Sequence, residues 1–152
     1  MSSELAQYIV DRLEMDLDAI AEDFARERAV ATRFAAIDDL FPPAIAGAIH
    51  RAFPPVAEMH LLDSFREKKY TSRSLDKFDP LIADAIFAFQ DSRVIELVSR
   101  ITGQKDVVGD PLLYAGGISS MVQGHFLNPH IDNSHDREQK NYRVLNLLYY
   151  CS

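Results

Sequence analysis

Gly124-His125-Phe126-Leu127-Asn128-Pro129-His130-Ile131-Asp132-Asn133, followed by Arg143-Val144-Leu145-Asn146-Leu147-Leu148-Tyr149-Tyr150, decides how this chain is read. The first stretch leads apolar residues into an imidazole and a carboxylate two positions apart, at the expected end of a β-strand. Successive strand side chains point to opposite faces, so His130 and Asp132 share one face and can reach a common ion. The second stretch has the aliphatic and aromatic content of a strand. An imidazole and a hard carboxylate with open positions suit non-haem Fe(II), a site that also asks for a second histidine. None is convincing here. His125 lies five residues before His130 and faces the other way, and His135 sits in the polar loop 134–141, where exposure is expected.

Working outward toward the N-terminus, Leu5, Ile9, Leu13, Leu17, Ile20 and Phe24 recur in steps of three and four. That spacing predicts one amphipathic helix capped at Ser2 or Ser3 and covering one side of the domain. A short β-compatible run follows at 32–37. Phe41-Pro42-Pro43 opens a second helix with Ile45, Ala48, Ile49 and Ala52 on its buried face, stopped by Pro54-Pro55. A strand is expected at 58–62 and a polar loop at 66–77. Asp79-Pro80 and Asp91-Ser92 each read as a cap and first turn of a helix, the second closed by Gly103. Beyond Gly109, strands are expected at 112–114, 118–123 and 142–150, with Gly116-Gly117 as a turn. His50 and His60 are isolated and read as surface residues.

Helices first and strands later give an α+β domain. The division expected is 1–109 as a mainly helical support and 110–152 as the first strands of a β core. The chain's 152 residues suit one domain, and its single cysteine, Cys151, excludes an intrachain disulfide. A formal net charge of -7 argues against nucleic acid and anionic membranes as partners. No apolar run approaches a membrane span and the acidic start is unlike a targeting peptide, so a cytoplasmic location is expected.

The His-x-Asp context resembles the Fe(II)- and 2-oxoglutarate-dependent oxygenases, in particular the prolyl 4-hydroxylase-like branch. The residues that carry the likeness are Gly124, Phe126-Leu127, His130-x-Asp132 and the strand from Arg143 to Tyr149-Tyr150, with a looser match at 37–43. The resemblance implies an incomplete double-stranded β-helix, a jelly-roll or cupin-like core, with N-terminal helices packed on it. It implies His130 and Asp132 as metal ligands, and Tyr150 against the remote carboxylate of 2-oxoglutarate. By alternation, Asn146 and Leu148 line the same cosubstrate pocket. It further implies oxidation of a substrate C–H bond coupled to conversion of 2-oxoglutarate into succinate and CO2, with ascorbate as reductant. The substrate, a protein side chain or a small molecule, is not legible. Met121 stands where the family places a tyrosine. The family's distal histidine and its basic 2-oxoglutarate clamp come from strands beyond residue 152, so the chain is expected to be an N-terminal portion with little or no turnover by itself. Two alternatives remain. One is a non-catalytic cupin-like binding module, either one that has lost its metal or one that forms a homodimer through the apolar edge at 145–150. The other is a zinc site from His125, His130, Asp132 and His135, which conflicts with strand alternation.

Overall fold

In the computed structural model, residues 1–114 and 116–151 are described, and they form a layer of helices against a small antiparallel sheet. The first helical stretch is broken into α1 (Ser2–Met15) and α2 (Leu17–Ala25) at Asp16, so the single helix expected from the apolar stripe is two. The stripe survives the break: Leu5, Ala6, Ile9, Val10, Leu13 and Ile20 are all buried. Helix α1 begins at Ser2 with no side-chain cap, where a serine cap was expected. Helix α3 (Pro43–Ala52) starts at its proline and buries Ile49. Helices α4 (Pro80–Ala88) and α5 (Ser92–Thr102) begin where the sequence places them. Asp79 accepts from the Leu81 amide at 2.9 Å and Asp91 from the Arg93 amide at 3.0 Å, each satisfying an otherwise unpaired donor of the first turn. Gly103 ends α5 at φ 71°, a left-handed position that glycine takes without steric cost. The core joins α1 to Ile82, Ala85 and Ala88 of α4 and to Val94, Leu97 and Ile101 of α5.

The sheet is centred on β2 (Glu67–Ser72), flanked on one side by β1 (His60–Asp63). On its other side it pairs with β3 (Ile118–Ser120) near one end and β4 (Phe126–Leu127) near the other. Strand β2 lies where the sequence predicts a polar loop, and the reason is local. Its lysines are neutralised at contact distance, Lys68 by Asp63 and Lys69 by Glu67, both at 2.7 Å, while every residue of the strand is half-buried. Long charged side chains can lay their aliphatic stems on a sheet and keep the charge outside, so polarity hides the strand. The run at 32–37 forms no strand, and 112–114 is a turn with Leu113 at φ 48°.

Residues 142–150, expected as a strand, join no sheet ladder; Tyr142 alone makes an isolated bridge with His135. A period of two is visible only at its end, 148–151. Tyr149 and Cys151 pack on the core, whereas Leu148 and Tyr150 are 74% and 80% exposed. Tyr149 is held by rings from the helical layer, with Phe41 at 5.2 Å and Phe89 at 6.1 Å between centroids. His50 meets the Cys151 carbonyl at 2.7 Å, which fixes the last described residue to α3. Among the described residues, no helix is long and apolar enough to cross a membrane.

Candidate metal centre

The β1–β2 hairpin turn is the platform on which the His-x-Asp stretch is laid. Ser64 closes the turn with its own backbone N–H on the Glu67 carbonyl at 2.9 Å, and its hydroxyl accepts from the Arg66 and Glu67 amides at 3.2 Å. Strand β4 pairs with the first residues of β2, and the chain leaves it over that turn. Asn128 then latches on twice: its side-chain amide donates to the Phe65 carbonyl at 2.8 Å and its backbone N–H to the Arg66 carbonyl at 2.9 Å. The Arg66 guanidinium donates to the Ile131 carbonyl at 3.2 Å, so 128–131 is tied to the turn at both ends.

This anchoring sets the imidazole. Nδ1 of His130 lies 2.8 Å from the Asn128 carbonyl, which can only accept, so Nδ1 carries the hydrogen. In the neutral ring Nε2 is therefore a bare lone pair, and it faces Asp132 Oδ1 at 3.3 Å. The two side chains are 23% and 41% exposed, so the pair borders solvent without being free in it. A hydrogen bond to the distal nitrogen of this kind is the usual means of fixing tautomer and ring orientation in a ligand histidine.

The carboxylate is positioned from the other side. Asn146 donates to Asp132 Oδ2 at 2.6 Å, and the Arg143 guanidinium lies 3.7 Å from the same oxygen while also donating to the Asn146 side-chain carbonyl. Oδ2 is thus occupied and Oδ1 is left toward the imidazole. These contacts hold the Asp132 carboxyl below its ordinary pKa, the Asn146 hydrogen bond foremost, against partial desolvation, with the Arg143 charge adding to the effect. A cleft of about 310 Å³ opens beside Asp132, lined by Tyr114, Ser134, His135 and Arg137 among others.

Of the residues singled out in the sequence, His130 and Asp132 come together. Asn146 reaches them, but its amide is spent on the carboxylate. Leu148 and Tyr150 share the outward side of the 145–150 segment and are largely exposed. The four-residue zinc grouping does not assemble. His125 stacks on Tyr70 at 5.2 Å, its Nδ1 buried with no hydrogen-bond partner among the described residues, and His135 lies against Tyr142 at 4.3 Å with Nδ1 on the Ser134 hydroxyl. Among the described residues no group of three or more His, Cys, Asp or Glu is placed to hold a metal ion, so a third protein ligand beside the pair is not found there. Sequence reasoning missed Asn128, Arg66 and Arg143 as the residues that orient the pair. The interval of two between Asn128 and His130 was the one signal that could have suggested a local carbonyl partner. No protein-family model, no curated protein and no solved structure matches the chain.

Proposed function

We propose that His130 and Asp132 are two ligands of a ferrous ion and that the chain carries part of an Fe(II)- and 2-oxoglutarate-dependent oxygenase, its small sheet belonging to an incomplete jelly-roll core. The observation that supports this reading is the arrangement of Nε2 and Oδ1. With Nδ1 committed as a donor, two electron-rich atoms face each other at 3.3 Å, and something positive belongs between them. An imidazole nitrogen and a carboxylate oxygen held this close, with Nδ1 and Oδ2 engaged elsewhere, would be able to hold one ion together. The donor set, one imidazole and one hard oxygen, also suits Fe(II).

In that reading the bound iron and 2-oxoglutarate supply the oxidising power, and this chain's residues do the positioning. Asn128 holds the imidazole tautomer. Asn146 and Arg143 hold Oδ2 and keep Asp132 ionised, so that Oδ1 is available as a ligand. The cleft beside Asp132 gives room for a small cosubstrate or the reacting part of a substrate. Leu148 and Tyr150 remain the proposed cosubstrate contacts on the face that Asn146 shares, and ascorbate the proposed reductant.

The test is anaerobic titration with Fe(II), followed by NMR at the His130 ring and the Asp132 carboxyl. Paramagnetic broadening that begins at these two residues, and is lost in His130→Ala and in Asp132→Ala, is the expected result. Broadening that spares both, or persists unchanged in both variants, overturns the assignment. A second reading draws on the segment at 145–150, whose Leu148 and Tyr150 are exposed and whose backbone joins no ladder: a module that pairs with a copy of itself. It predicts a concentration-dependent dimer by light scattering and no response of His130 to Fe(II).

A further inference from the structure

A second cleft, about 400 Å³ in volume, lies at the end of the sheet opposite β4, and its charge is the reverse of the chain's. It is lined by Glu58, His60, Thr71, Arg73, Ser74 and Lys77 among others. His60 and Thr71 are directly paired across β1 and β2, so their side chains leave the same face of the sheet. Arg73 follows β2 directly and lines the same cleft. The turn beyond it is fixed. The Leu75 amide donates to the Arg73 carbonyl at 3.1 Å, Leu75 is buried, and the single 3-10 turn Leu75–Lys77 carries Lys77 back to the same opening. Gly117, at φ 120°, lets this backbone approach closely, since a Cβ there would lie 2.4 Å from the Ser72 carbonyl oxygen.

The cations so gathered are uncommitted. Lys68 and Lys69 on the same strand are each paired with a carboxylate, but among the described residues neither Arg73 nor Lys77 forms an ion pair. Arg73 only rests over the Tyr114 ring, 5.7 Å from its centroid. In a chain of net charge -7, a concave site that holds two unpaired cations against one carboxylate, ringed by two serines, a threonine and an imidazole, is arranged for a negative ligand.

We propose that this cleft is an oxyanion site that takes the phosphate or carboxylate group of a ligand. The planar guanidinium of Arg73 offers two parallel N–H donors to such a group, Lys77 adds a point charge, and the hydroxyls of Thr71 and Ser74 donate at the rim. Tyr114, beneath Arg73, also lines the cleft beside Asp132, so the Arg73–Tyr114 contact joins one lining residue of each cleft. The site stands whether or not His130 and Asp132 bind iron.

The test is NMR titration at constant ionic strength with inorganic phosphate and, separately, with acetate, following the amides of 71–77 and the His60 ring. Saturable shifts confined to these residues are expected. Phosphate alone producing them identifies a phosphate site, and equal response to acetate identifies a carboxylate site. The affinity should fall at least about tenfold in the Arg73→Gln/Lys77→Gln double variant, rise in Glu58→Gln and stay unchanged in Arg100→Gln, an exposed position on α5 outside both clefts. Both cations are exposed, so the double variant should keep the wild-type spectrum elsewhere. Absence of saturable shifts with either anion, or identical shifts in the double variant, overturns the proposal.

Discussion

Replacing Tyr149 by alanine should loosen the segment that holds Asn146 against Asp132. That segment joins no ladder, so its attachment to the helices rests on side chains, and Tyr149 is the largest of them. Its ring meets Phe41 edge-on at 5.2 Å and Phe89 at 6.1 Å. Each such aromatic pair contributes about 0.5–1.5 kcal/mol beyond area, so the two together are worth about 2 kcal/mol. Tyr149 is only partly buried, which keeps the total below the 3–5 kcal/mol typical of a fully buried aromatic. With a urea m-value of about 2 kcal/mol/M, the unfolding midpoint should fall by about 1 M. In the same variant the Asp132 carboxyl pKa should rise, because the Asn146 hydrogen bond is the largest contribution holding it down. The control is Tyr150→Ala, one residue on and 80% exposed, which should move the midpoint by less than about 0.25 M. Equal midpoints for the two variants, or an unmoved Asp132 in Tyr149→Ala, would refute this account of how the segment is held.

Asn146→Ala should raise the Asp132 pKa toward its ordinary value without unfolding the chain, as read by carboxyl carbon shifts against pH; an unchanged titration contradicts the network. Asp91→Ala should cost about 1 kcal/mol by removing the α5 cap. The Arg93 side chain holds the Asp91 carboxyl below its usual range, so the wild-type advantage is full above the unfolded carboxylate pKa of about 3.9. It should fade as pH falls through the lower folded value, which denaturation at pH 7 and pH 3 will show. Gly117→Ala should destabilise by at least about 2 kcal/mol, because strain at φ 120° adds to the clash with the Ser72 carbonyl, whereas Gly103→Ala, with open space around its Cβ position, should cost about 1 kcal/mol. Thermal melts of the two decide it.

The helices were legible because their signals are local. Asp79 and Asp91 are caps that need only the next two residues, and the stripe from Leu5 to Ile20 needs only its own spacing. The break at Asp16 was not, because apolar periodicity continues through it. Strand β2 was invisible for a different reason. Glu67, Lys68 and Lys69 belong in a sheet only once Asp63 and the partner strands are beside them, and pairing of that range leaves no mark on the strand's own composition. At the site, the shared reach of His130 and Asp132 was legible from their interval of two. The reason given for it, strand alternation, was not the one at work: 128–133 is not in a strand, and the pair is brought together by the latch of Asn128 and Arg66 on the hairpin turn. The inward and outward alternation expected at 145–150 appears only from Leu148 to Cys151, because Leu147 is 51% exposed beside Leu148, and no ladder accompanies it.

The most direct measurement is anomalous diffraction from crystals of this chain grown without oxygen in Fe(II). The account predicts a single iron peak about 2.1 Å from both His130 Nε2 and Asp132 Oδ1, with Asn146 still on Oδ2. Iron bound elsewhere, or density in which Nε2 instead closes directly onto Oδ1 as a hydrogen-bonded ion pair, would contradict it.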